Sequence, residues 1–69
     1  MAVATADQIR RDDVSVSFAM QVGSAAPAVG LPRNPMRSPS LRHVFMSAPP
    51  RLRMAMKLAY IMAYDRAAS

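Results

Sequence analysis

The chain has 69 residues, no cysteine and one histidine, which excludes disulfide bonds and a thiolate zinc site. Leu, Ile, Val and Phe together make up 14 residues, close to the level at which chains stop folding alone, so no autonomous compact core is expected. The net charge of +5 favours an anionic partner such as phosphate, a lipid surface or an acidic protein.

The N-terminal segment, residues 1–22, opens with a helix signal. Thr5 and Gln8 have the spacing of a capping box, and Asp7 suits the first turn of a helix. They predict a short helix from about residue 6 to about residue 12. The next residues alternate apolar with small or polar side chains, which predicts a single β-strand over 14–22. Two other interpretations stay open: the segment is merely extended, or it joins the helix before it.

The middle of the chain is rich in proline. All six prolines and both glycines fall within residues 23–50. Proline fixes φ, lacks an amide donor and pushes the preceding residue away from helix. The sequence therefore predicts a Pro-rich extended linker over 23–49. The expected fold class is mostly irregular and extended, with one C-terminal α-helix.

That helix is predicted over residues 50–68, because Pro50 suits a first helical position and the following residues are strong helix formers. The helix would be amphipathic, with three stripes. A cationic and aromatic stripe is formed by Arg53, Lys57, Tyr60 and Tyr64, and together with Arg51 it is the candidate partner- or anion-binding site. A stripe for close helix packing is formed by Ala55, Ala59 and Ala63, flanked by Leu52 and Met56. A third stripe contains Met54, Leu58 and Ile61.

Catalysis is not expected from this sequence. There is no Cys or Glu, one His, and no Gly-rich phosphate loop. Nothing offers a nucleophile beside a positioned base. The chain is therefore predicted to be non-enzymatic, with no catalytic residue, metal or cofactor.

The distribution of charge points to partners. No acidic residue occurs between Val14 and Tyr64, whereas six cations do: Arg33, Arg37, Arg42, Arg51, Arg53 and Lys57. A GC-rich genome would also produce the excess of Arg and Ala. If the partner were RNA, these cations would contact phosphate, and His43, Phe45 and Tyr60 would stack on bases.

The leading hypothesis is a small accessory or structural subunit that docks onto a larger protein assembly, by analogy with peripheral subunits of energy-converting membrane complexes. The alternatives are an RNA-contacting subunit of a ribosome-like particle and a membrane-surface amphipathic peptide. A membrane-spanning role is excluded, because Arg53 and Lys57 interrupt the apolar run. An intracellular location is expected, with an organelle such as the mitochondrion favoured.

Overall fold

The computed structural model describes residues 5–69, of which 83% are helical. The helices are α1 (Ala6–Val29), a 3₁₀ turn (Pro35–Arg37), α2 (Pro39–Met46) and α3 (Pro50–Ala68). There is no strand in the described part of the chain. The prediction of a mostly irregular and extended chain is therefore wrong.

Helix α1 is capped at both ends by local sequence. The Thr5 side chain accepts a hydrogen bond from the Gln8 amide at 3.2 Å, which satisfies one of the free donors of the first turn. At the other end Gly30 adopts the left-handed conformation, with φ of 79°. The amides of Gly30 and Leu31 both donate to the Ala26 carbonyl. This left-handed cap explains why the helix ends before Leu31.

The predicted strand over 14–22 and the short helix ending near residue 12 are both wrong, because α1 runs through the whole segment. The segment joins the helix before it. The alternating pattern is overridden by a second pattern with helical spacing: Ala19, Gly23 and Ala26 recur at intervals of four and three, and all three are buried. Val14 and Phe18, which suggested a buried strand face, are exposed on the outside of α1.

The predicted extended linker over 23–49 is also wrong, and the prolines show why. Three of the six prolines, Pro35, Pro39 and Pro50, occupy the first position of a helix. At that position the missing amide has no helical acceptor, so proline starts a helix without loss. Pro27 lies near the end of α1, beside residues that pack against α3.

Helices α1 and α3 lie side by side and run in the same direction. Gln8 and Ser15 of α1 line a groove with Leu52, near the start of α3. Further along both helices, the backbone of Gly23 touches that of Tyr60. The connection between them, which contains the 3₁₀ turn and α2, returns the chain to the starting end.

The core lies where α1, α2 and α3 meet. Its buried members are Ala19, Ala26, Leu41, Phe45, Met56 and Tyr60. The Phe45 and Tyr60 rings meet edge to face, with centroids 6.1 Å apart. The radius of gyration is 12.5 Å, whereas about 11 Å is typical of a folded chain this long and about 25 Å of an unfolded one. The expectation of no compact core is wrong, because small residues let the helices approach closely around two aromatic rings.

Candidate functional site

Most of the predicted cationic and aromatic stripe of α3 faces inward, toward the connection between α1 and α3. Tyr60 is fully buried, and its hydroxyl donates a hydrogen bond of 2.6 Å to the Pro32 carbonyl. Tyr64 is half-buried and stacks on Tyr60 with ring centroids 6.3 Å apart. The two tyrosines therefore hold the residues after α1 against α3, and Tyr60 has no surface to offer a partner.

Burial raises the pKa of Tyr60 above its ordinary value of 10.0, and the neighbouring Tyr64 raises it further. The neutral phenol is thus favoured in the folded state. Between the unfolded pKa near 10 and the higher folded pKa, the unfolded chain gives up this proton first, so the free energy of unfolding falls as pH rises.

We therefore expect Tyr60→Phe to reduce the alkaline sensitivity of the fold. At neutral pH the variant should lose about 1 kcal/mol, the typical value of one hydrogen bond. Above about pH 10 the difference between the two proteins should shrink, because only the unsubstituted chain carries the Tyr60 phenol. Urea unfolding at several pH values checks this, and a constant difference up to high pH would contradict it.

Arg53 binds the end of α2. Its Nε donates to the Phe45 carbonyl at 3.3 Å, and a terminal nitrogen donates to the Ala48 carbonyl at 3.1 Å. A cation in the first turn of α3 is disfavoured by the dipole of α3, but here it lies against the negative end of α2. The compensation comes from within the chain, so Arg53 is engaged in the fold.

Asp65 has an equivalent partner within the chain. Arg33 donates two hydrogen bonds to its carboxylate, of 2.8 and 2.9 Å. These bonds lower the pKa of Asp65 below its ordinary value and raise the pKa of Arg33. The pair therefore favours the folded state above the unfolded pKa of the carboxyl, and that contribution is lost as pH falls through the lower, folded pKa. It is the one ion pair found within residues 5–69.

The predicted helix-packing residues divide between two faces of α3. Met56 and Ala63 are buried against α1, and Leu52 and Ala59 are half-buried beside them. Ala55 lies on the opposite, exposed face. The predicted anion-binding residues also divide: Arg51 is exposed on that outer face, whereas Lys57 is half-buried on the side of Tyr60.

The outer face of α3 carries a row of exposed apolar side chains. Met54, Leu58 and Met62 recur every four residues and are 60%, 55% and 67% exposed. We call these three residues the α3 stripe. Met20 of α1 lies beside Met62, where both line a shallow hollow, and is itself exposed. Large apolar residues placed together on a surface mark interaction sites more often than single exposed ones do.

A second exposed apolar face lies on α1. Val14 and Phe18 are one turn apart and 64% and 44% exposed, with Arg10 a further turn before them. Arg10, Val14 and Phe18 also line one shallow concavity on the surface. We call these three residues the α1 face. This face was not predicted from the sequence, because Val14 and Phe18 fit the pattern of a strand.

No group of three or more His or Asp side chains within residues 5–69 could hold a metal ion. Within the same residues, no helix combines the length and the hydropathy needed to cross a membrane. Of the three groups suggested for stacking on RNA bases, Phe45 and Tyr60 are buried in the core and only His43 is exposed.

Comparison of the chain with protein-family models, with curated proteins and with solved structures finds no match in any of the three.

Proposed function

We propose that this protein is a non-enzymatic accessory subunit that docks onto a larger protein assembly as a folded helical module. The observation that carries the proposal is the pair of exposed apolar faces, Val14 and Phe18 on α1 and the α3 stripe. A chain that buries two aromatic rings but leaves these side chains in water has apolar surface to bury against something else.

The mode of docking differs from the one expected of an extended chain. A segment that wraps around its partner loses conformational entropy when it binds, which lowers the affinity per unit of buried area. Here the caps of α1, the Tyr60–Pro32 bond and the Arg33–Asp65 pair already fix the helices. The apolar faces are therefore presented on a preorganised scaffold, and binding requires little further ordering.

The charge of the molecule indicates an acidic partner surface. The chain has nine cations and four acidic residues. Of these cations, Arg33 and Arg53 are engaged within the fold. Arg10 and Arg11 lie beside Asp7 and Asp13 on α1, so the α1 face carries little net charge. The exposed cations away from the acidic residues are Arg37, Arg42 and Arg51. Carboxylates of a partner near them would speed association and orient it.

Sedimentation of the tagged chain from gently lysed cells tests the proposal, with and without RNase. We expect the chain to migrate in a large particle that survives RNase. Val14→Asp places a charge in the α1 face and should release the chain from that particle. Met46→Asp, at an apolar position on α2 that is 52% exposed, is the matched control and should stay bound.

Two results would contradict the proposal. Collapse of the particle after RNase would favour an RNA partner, whose affinity should also fall steeply with salt. Flotation of the purified chain with anionic vesicles, in place of migration with a protein particle, would favour a membrane surface.

A further inference from the structure

The α3 stripe has an ionisable side chain at each end, and the two are of opposite sign: Arg51, and Asp65, which is paired with Arg33 of its own chain. Arg51 lies seven residues before Leu58 and Asp65 lies seven residues after it. Met54 and Met62 lie four residues before and after the same leucine. With successive residues about 100° apart around a helix, all five positions fall on one face of α3, within about 80° of each other. All five are exposed.

The order of these residues makes the surface complementary to itself. In a two-fold antiparallel pairing centred on Leu58, each Arg51 meets the Asp65 of the other copy, each Met54 meets a Met62, and the two leucines meet. In a parallel pairing Arg51 would meet Arg51, which is unfavourable, whereas each Asp65 is already paired with Arg33 of its own chain. The charges thus distinguish one orientation from the other.

We propose that the α3 stripe is the interface of an antiparallel homodimer. The inference rests on the docking role proposed above and names the partner at one of its two faces: a second copy of this chain. A two-fold interface of this kind uses the same patch on both subunits, which is what the symmetric spacing about Leu58 provides.

Asp65 can serve both its own chain and the second copy. Each of its oxygens accepts one hydrogen bond from Arg33. An ionised carboxylate has about four acceptor sites, so about two remain for the Arg51 guanidinium of the other copy. The carboxylate side chain is half exposed, which leaves room for that approach.

The size of the contact sets its expected strength. From Arg51 to Asp65 the helix rises about 21 Å at 1.5 Å per residue. A single pair of helices over that length buries less than the roughly 1,600 Å² of a standard interface, so the dimer should be weak, with a dissociation constant in the micromolar range. Met20, beside Met62, widens the apolar area.

Dimerisation through α3 leaves the α1 face available. The dimer would carry two copies of Val14 and Phe18, one on each subunit. A partner with two matching sites would then bind the dimer more tightly than it binds a single α1 face, because the second contact forms within an existing complex.

Cysteine cross-linking tests the register, since the natural chain contains no cysteine. Leu58→Cys should form a disulfide-linked dimer under mild oxidation. Met54→Cys alone should not, because the antiparallel register separates the two substituted positions by about 12 Å along the helix, too far for a disulfide. A mixture of the Met54→Cys and Met62→Cys proteins should yield the mixed dimer.

Sedimentation equilibrium of the purified chain, from about 5 to about 500 µM, measures the association itself. The unsubstituted chain should dimerise, and Leu58→Asp should weaken association at least tenfold while Val14→Asp leaves it unchanged. Arg51→Asp should also weaken it, because it places a carboxylate beside Asp65 of the other copy. Circular dichroism confirms that each variant keeps its helices.

Two outcomes would overturn the dimer. They are a monomer over the whole concentration range and cross-linking of Met54→Cys with itself. These outcomes are separable from failure of the docking role. A purified monomer whose Val14→Asp variant still leaves the large particle in cells would contradict the dimer alone. A purified dimer that joins no particle in cells would contradict the docking role alone.

Discussion

Phe45→Ala is expected to lower the free energy of unfolding by about 3–5 kcal/mol, the range for truncating a buried phenylalanine. Phe45 is fully buried and meets Tyr60 edge to face, so the substitution removes both apolar burial and an aromatic contact. A domain of this size has a total stability of only about 3–10 kcal/mol. The variant should therefore lose a large part or all of its stability, which thermal and urea unfolding by circular dichroism would detect.

Met46→Ala is the matched control for Phe45→Ala. Met46 is the next residue of the same helix but is half exposed, so its truncation should change stability by about 0.5 kcal/mol or less. Equal effects of the two substitutions would contradict the position of α2, because they would mean that Phe45 is no more buried than its neighbour.

Gly23→Ala is expected to destabilise the fold by about 1–3 kcal/mol, although alanine is the better helix former. An added Cβ would lie 3.0 Å from the carbonyl carbon and from the Cα of Tyr60, and closer still to its carbonyl oxygen. These are backbone atoms of α3, which cannot turn aside as a side chain could. The two helices would have to separate, and the core beneath them would loosen.

The comparison that isolates this effect is Ser24→Ala. Ser24 is exposed on the same helix, one residue further on, and its replacement should leave stability unchanged or raise it slightly. If Gly23→Ala also stabilised the protein in urea unfolding, the close approach of α1 and α3 at Tyr60 would be wrong.

The bounds of α3 could be predicted from sequence because the relevant information is local. Pro50 begins the helix, and no helix-breaking residue follows it. The longer helix α1 could not be predicted in the same way. Its middle alternates like a strand. The pattern that prevails is the helical spacing of Ala19, Gly23 and Ala26, and this pattern stabilises a helix only because α3 packs against it.

The role of the central prolines could not be predicted from local sequence either. A proline at the first position of a helix and a proline in an extended linker look alike in one sequence. Pro35 begins a turn that the Asn34 side chain caps, by accepting a hydrogen bond of 3.0 Å from the Met36 amide. Pro39 begins α2, whose Leu41 and Phe45 enter the core. The burial of these two side chains, rather than local preference, distinguishes the helices from a linker.

The candidate site was only partly visible for the same reason. The sequence separates three stripes on α3, including one that contains Met54 and Leu58, but it does not say which stripe faces solvent. Helices α1 and α2 determine which stripe faces solvent, because they cover Met56 and Tyr60 and leave the α3 stripe exposed. Arg53 and Asp65 lie at ends of α3 where the helix dipole disfavours their charges, and the structure places the compensating groups inside the chain.

Urea unfolding of the unsubstituted chain tests the central claim most directly, which is that this short, proline-rich sequence forms a folded helical module by itself. Circular dichroism and tyrosine fluorescence, from Tyr60 and Tyr64, follow helix content and core packing separately. The account predicts one cooperative transition that coincides for both signals, with a slope of about 1 kcal/mol per molar urea. A gradual loss of signal with no transition would contradict it, and would favour the interpretation of the chain as an extended segment that becomes ordered only on its partner.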